Sequence, residues 1–406
     1  MTSSNDVTIL RDLAKRYMDI ARKPIQDERR DLWRRHNSLE RTRPPVLALW
    51  ICAWHTVPQA KCLCEDLLFR HHESELRRLI FQDYIGDDFV IEPWITQRAT
   101  YKLPPGTWGV PVKRVQKTCE EGTWTYDPVI KSLEDADKLV APHHVIDEEA
   151  TARNVERIRD AVGDIVEVNV SRAPAAGASF CTPWGNLRGL EQYMLDMLDN
   201  REWLHRVTKF IADAILAAHD DAEAAGDWSL GDSGNQAMPY AKELPDPRAN
   251  SGAVGREKLW TFVCAQEMAL ISPAMHDEFV LQYQLPIMDK FGLVAYGCCE
   301  DLTRKIDMLR PVRNLRRIAI TPWADVAFCA EQMGTDYVFS WRPNPADMIC
   351  CGFDPARVRQ VIKQGMDACR GCHVDITLKD VQTVQGRPEQ LREWTQVVRG
   401  VSDAYV

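Results

Sequence analysis

Residues 296–301 read Tyr-Gly-Cys-Cys-Glu-Asp and bring two thiols and two carboxylates together. Side chains alternate along an extended chain, so Cys298 and Glu300 are expected to project together. A thiolate with a carboxylate is half of a zinc site that keeps one position open, with Cys298, Glu300 and Cys299 as candidate ligands. Zinc there would lower the pKa of a bound thiol and turn it into a nucleophile. The plainer reading is two buried cysteines, because free cysteine is among the most buried residue types. Lys379 and Asp380 are adjacent. They read either as a local ion pair or as a catalytic pair, in which Asp380 polarises a substrate and Lys379 holds an anion. Arg342 precedes Pro343-Asn344-Pro345. Two prolines pin that loop, which suits a guanidinium placed to bind a carboxylate or phosphate; a surface arginine in a rigid turn is the alternative. Cys369 and Cys372 have CxxC spacing, but a structural zinc site would want a second pair.

These groups need elements to position them. From residue 46 short apolar runs alternate with amphipathic helical patterns. Strands are predicted at 46–51, 89–91, 165–170, 259–264, 293–297, 317–320, 337–340 and 374–378. Helices are predicted between them, with an irregular or hairpin insertion at 96–128 and a loop at 227–254. Eight strands separated by helices is the number a closed (β/α)8 TIM barrel needs. The alternative, an open doubly wound sheet, would usually carry a Gly-rich turn after its first strand. Here that strand is followed by Cys52-Ala53-Trp54-His55, without glycine. Residues 1–42 read as an N-terminal helical extension and 43–406 as the barrel, together one domain.

In such a barrel, polar residues after each strand face the site. That rule adds Trp54 and His55, Trp94, Gln266 and Glu267, Trp323, Arg342 and Asn344 as substrate-binding candidates, and Asp380, Lys379 and Glu300 as catalytic ones. Helix capping explains many polar residues at such positions, but not the tryptophans or Arg342. His55 reads as a ligand or as a satisfied buried histidine.

The chain has 406 residues and a net charge of -9, which disfavours nucleic acid or an anionic membrane as partner. No apolar run approaches the roughly 20 residues that span a bilayer. The polar start at Met1–Asp6 does not read as a signal peptide. Thirteen cysteines, an odd number, without a secretory signal suit reduced thiols in a cytoplasmic protein. A homodimer is the base-rate expectation for its assembly.

Several segments resemble the uroporphyrinogen decarboxylase superfamily, over roughly residues 160–400. They are residues 186–197 (Asn-Leu-Arg-Gly-Leu-Glu-Gln-Tyr-Met-Leu-Asp-Met), 294–300 (Val-Ala-Tyr-Gly-Cys-Cys-Glu), 321–325 (Thr-Pro-Trp-Ala-Asp), 341–345 (Trp-Arg-Pro-Asn-Pro) and 377–384 (Thr-Leu-Lys-Asp-Val-Gln-Thr-Val). The family's decarboxylases carry an arginine-rich motif near the N-terminus, whereas residues 49–55 here contain no arginine. Its corrinoid-linked methyltransferase branch carries a His-x-Cys zinc motif and a later cysteine. Tyr296-Gly297-Cys298 keeps the cysteine, replaces the histidine, and no cysteine follows the last strand. The resemblance therefore implies only Cys298 as a zinc ligand; Glu300 and Cys299 are candidates to complete the shell on residue chemistry alone. The resemblance also implies methyl transfer between a small methylated substrate and cobalamin. No Asp-x-His-x-x-Gly motif is evident here, so a separate corrinoid protein would carry that cobalamin. The tryptophans would supply an aromatic pocket, suited also to a quaternary ammonium. The alternatives are a carboxy-lyase in which Arg342 clamps a small carboxylic acid or porphyrinogen, and a non-catalytic partner of a corrinoid protein.

Overall fold

The computed structural model describes residues 4–115 and 125–405. Part of the predicted 96–128 insertion therefore lies outside the described residues. The strands are β1 (Val46–Leu49), β2 (Trp94–Arg98), β3 (Lys113–Val115), β4 (Thr125–Asp127), β5 (Glu167–Ser171), β6 (Trp260–Val263), β7 (Leu293–Tyr296), β8 (Leu315–Ile320), β9 (Val338–Trp341) and β10 (His373–Lys379). β3 and β4 form a separate antiparallel hairpin.

The other eight strands follow the order of a barrel, but their ladder is broken twice. Six pair in parallel as β1-β10-β9-β8-β7-β6, and β2 pairs in parallel with β5. Neither β1 with β2 nor β5 with β6 is hydrogen-bonded as a ladder. The expected closed eight-stranded barrel is thus corrected to a curled six-stranded half-barrel plus a two-stranded piece.

Side chains replace the missing ladders. A buried backbone N–H without a partner costs about as much as a lost hydrogen bond. On the free edge of β1, Val46 N donates to Asp88 Oδ2 and Ala48 N to Asp87 Oδ2, both at 2.8 Å. Gln82 Nε2 donates to Ala48 O at 3.1 Å. Burial pushes Asp87 up to about 6. Burial also raises Asp88, but hydrogen bonds from Arg43 and the Arg399 charge outweigh it and hold that carboxyl below its usual range. At the second seam, Asn250 serves the edge of β5. Its Oδ1 accepts from Val170 N at 3.1 Å and its Nδ2 donates to Val168 O at 3.1 Å.

The predicted strand at 89–91 is not a strand. Val90 instead packs with Trp33, Leu47, Met238 and Tyr240. The true strand β2 begins at Trp94 and was hidden because its buried positions are Ile95 and the polar Gln97. The N-terminal helices α1 (Ser4–Ala21) and α2 (Ile25–Asn37) pack on the barrel. Trp33 Nε1 of α2 donates to Asp88 O at 2.7 Å, and Asn37 Nδ2 donates to Met238 O and Tyr240 O at 2.8 Å. Helix α3 (Leu67–Ile85) starts at Asp66, whose carboxylate caps Leu68 N and Phe69 N, and ends at left-handed Gly86.

The inward faces of β8, β9 and β10 carry polar groups. Arg317 Nη2 donates to Asp375 Oδ1 at 2.7 Å and to Ser340 Oγ at 2.8 Å. Thr377 Oγ1 donates to the same carboxylate at 2.9 Å. Strand alternation places Asp375, Thr377 and Lys379 on the inward face of β10, and Ser340 with Arg342 on the inward face of β9. The buried ion pair thus sits deeper in the barrel than Lys379 and Arg342.

Asp88→Ala is expected to lower unfolding stability by about 3–5 kcal/mol, because it strands two arginines and the Val46 N–H. The urea midpoint of the variant checks this. A drop no larger than that of Asp164→Ala, at the exposed pair with Arg11, would show that the carboxylate does not hold the seam.

Candidate active site

The chain leaves β7 at Tyr296 and turns at Gly297, whose φ is +95°. A Cβ at Gly297 would lie 2.8 Å from Leu302 Cδ1 and 3.2 Å from Ala319 Cβ, so only glycine fits this turn. The turn overrides the alternation expected from the sequence. Cys298 and Glu300 do not project into one site. Glu300 is fully buried. Its two oxygens accept from Cys298 N and Ala265 N, each at 2.7 Å. The carboxylate therefore braces the end of β7 against the residue after Cys264. Its expected catalytic and metal-binding roles are replaced by this structural one.

The brace brings three thiols together. Cys298 Sγ is 3.6 Å from Cys299 Sγ, and the Cys264 thiol also interacts with it. Lys379 Nζ donates to Cys298 Sγ at 2.7 Å. The Cys264 and Cys299 thiols, with the Lys379 ammonium, outweigh burial and hold the Cys298 thiol well below its usual range. Cys264 and Cys299 are raised, first by their interaction with Cys298 and then by burial, and keep their protons. The arrangement is one thiolate served by two thiols and an ammonium, which is the electropositive setting that makes a cysteine reactive.

Asp380 completes the mouth. Cys299 Sγ donates to Asp380 Oδ2 at 3.5 Å. Asp380 has a left-handed backbone, φ +58°, an uncommon conformation for a residue with a Cβ. Arg342 is buried, and its guanidinium donates to Cys298 O and to Gln236 Oε1. It orients the thiolate segment rather than standing open as an anion clamp, which corrects the expectation from the proline-pinned loop.

The remaining candidates do not join this cluster. Trp54 is buried against Trp50 and Phe81, with its Nε1 on Ser74 Oγ at 3.1 Å. His55 is exposed on the 3-10 turn Ile51–Thr56. Trp94 opens β2 rather than closing it, so it lies at the opposite end of the barrel. Gln266 and Glu267 form the turn after β6, where Glu267 Oε1 accepts from Thr182 Oγ1 at 2.5 Å. Asn344 Oδ1 accepts from Ala346 N at 2.9 Å and closes its own turn. Trp323 is 73% exposed. The expected aromatic pocket of Trp54, Trp94 and Trp323 is therefore not assembled. Two residues of the site were missed. Cys264 directly follows β6, so the strand-end rule applies to it once the strand is ended at Val263. Gln236 sits in a long loop and had no local signal.

The donors as arranged do not fit a zinc ion. Both Glu300 oxygens hold backbone N–H groups, and the Lys379 ammonium occupies the cation's place beside Cys298. Among the described residues, no group of three or more His, Cys, Asp or Glu side chains is placed to hold a metal. Tyr296, at the histidine position of the zinc motif, turns away and bonds His276 Nε2 at 2.7 Å and Gln284 Oε1 at 2.9 Å.

No family model matches the sequence, so the resemblance to the uroporphyrinogen decarboxylase superfamily gains no support there. No curated protein matches either. Among solved structures, a methyltransferase from Methanosarcina mazei is similar with a TM-score of 0.49 and 12% identity, over 93% of this chain and 98% of that one. A likeness at that level carries no argument about chemistry. No helix among the described residues is long and apolar enough to cross a membrane.

Alkylation of Cys298 by iodoacetamide should persist at pH 6. An ordinary thiol with pKa about 8.5 has lost roughly 300-fold of its thiolate there, whereas a depressed pKa keeps the charged form. Lys379→Met removes a group that favours the thiolate, so it should slow the reaction at pH 6 and spare it at pH 9. Peptide mass spectrometry reads the rates. A wild-type profile rising only near pH 8–9 would rule out the thiolate.

Proposed function

We propose that the protein is a group-transfer enzyme of the methyltransferase kind in which the Cys298 thiolate is the nucleophile. The observation that carries this reading is the Lys379 Nζ to Cys298 Sγ contact of 2.7 Å, in a cluster whose other two thiols stay protonated. A thiolate attacks a methyl carbon in line with the bond that breaks, so the C–S bond forms as the electron pair leaves with the substrate's oxygen, nitrogen or sulfur. That leaving atom needs a proton. The Cys299 thiol, next to Asp380, is placed at the mouth to give it. Arg342 and Glu300 hold the backbone of Cys298, so the nucleophile is positioned before substrate arrives. A corrinoid carried by a separate protein would, in this reading, supply the acceptor chemistry for the methyl group held on Cys298.

The carboxy-lyase reading loses support from the engagement of Arg342 with Cys298 O and Gln236. A zinc-assisted variant would require Lys379 to give up its place beside Cys298, and the attack by the thiolate as drawn uses no zinc. Elemental analysis of the purified protein beside Cys298→Ala tests that variant directly.

Incubation with methylcobalamin as methyl donor should add one methyl group to the Cys298 peptide, read by mass spectrometry. Cys298→Ser should stay unmodified, and Lys379→Met should react slowly at neutral pH. A Cys298 that reacts with iodoacetamide but never accepts the methyl group would remove methyl transfer and leave only a reactive thiol.

A further inference from the structure

The break between β5 and β6 is more than a defect filled by a loop. It borders a cavity of about 430 Å³, whose walls include Arg98, Ser171, Trp228, Gln236, Trp260 and Phe262. That volume lies in the range of small-molecule sites. Gln236 is the link to the thiolate. Its backbone is left-handed, with φ +60°, a strained state that persists only where surroundings enforce it. Arg342 Nη2 donates to Gln236 Oε1 at 2.9 Å. A guanidinium can only donate, so this bond fixes which end of the amide faces it. The amide nitrogen is thereby turned to Cys298 Sγ, at 3.6 Å.

The cavity also shows what it would hold. Asp232, on its wall, is already engaged. Its Oδ1 accepts from Ser171 Oγ and its Oδ2 from Ser229 N and Oγ. Arg98 is different. Its Nη2 donates to a backbone carbonyl, Pro174 O, at 3.2 Å, and the guanidinium lies 5.9 Å from the Tyr101 ring. No carboxylate among the described residues is hydrogen-bonded to it. Trp260 is 1% exposed, and its indole N–H has no hydrogen-bond partner. A buried donor of this kind calls for an acceptor. One cation and one unpartnered donor, set among Trp228, Trp260 and Phe262, suit an oxygen anion on an apolar body.

We infer that the β5–β6 seam cavity is the substrate pocket of the Cys298 thiolate, that it takes a small carboxylate with an aromatic or apolar body, and that Arg98 anchors the carboxylate while Gln236 positions the thiolate. The inference rests on the thiolate reading above and names its substrate class.

Phenylacetate and its neutral analogue phenylacetamide serve as probes. Phenylacetate should bind by titration calorimetry and slow the alkylation of Cys298. Phenylacetamide should bind about tenfold more weakly or worse, and Arg98→Met should remove the difference, since a hydrogen-bonded charge pair is lost in both cases. Equal binding of the two probes would overturn the carboxylate anchor. Binding of phenylacetate without protection of Cys298 would overturn the link between cavity and thiolate. Absence of binding overturns the pocket. Calorimetry does not depend on the thiol, so an unreactive Cys298 with intact, Arg98-dependent binding would remove the thiolate chemistry while keeping the pocket.

Discussion

The structure depends on how the strand edges at two breaks in the sheet are satisfied. A parallel barrel closes because every strand lends its backbone donors and acceptors to two neighbours. Here β1 and β2 lack each other at one break, and β5 and β6 at the other. Asp87, Asp88 and Gln82 take over on β1, and Asn250 on β5. Each substitute is a side chain on a loop or helix, so the segments that carry them are tied to the barrel wall. Asp88 extends the tie to Arg43 and to Arg399, on the C-terminal helix Gln390–Ser402. The segment before β1 and the C-terminal helix are thereby both tied to the barrel seam through one carboxylate.

The same interruption shapes the interior. A closed barrel of eight strands fills its axis with side chains in layers. In this chain the layers are polar and charged. Arg317 and Asp375 neutralise each other on the lower floor, with Ser340 and Thr377 completing the carboxylate's hydrogen bonds. Arg342, one strand period above, and Lys379, two periods above, face the Cys298 segment. A thiolate in that position gains attraction that water would otherwise screen. The loop that fills the second seam contributes Gln236 to the thiolate, so the repair of the sheet and the shaping of the site come from one segment.

Some of this was legible in the sequence. The alternation of short apolar runs with helical patterns identifies seven of the eight barrel strands, because each keeps buried apolar side chains among its residues even where its inward face is polar. The strand-end rule brings out Cys298, Cys299, Lys379, Asp380 and Arg342, which the structure does assemble. It fails for Trp94 because β2, with a buried glutamine and only one buried aliphatic side chain, hides its register. It fails for Trp54 because a 3-10 turn after β1 rotates that indole into the core.

The sequence by itself determined the order of the elements, the polar ends of the strands and the residues able to do thiol chemistry, since these follow from local pattern and residue type. Tertiary structure alone decided what those residues became. Glu300 turned from a ligand into a brace because Gly297 reverses the chain. Arg342 became an orienting group because Cys298 O and Gln236 reach it first. Cys264 and Gln236 entered the site from 34 and 62 positions away from Cys298, and no local pattern specifies contacts set by the closing of a barrel.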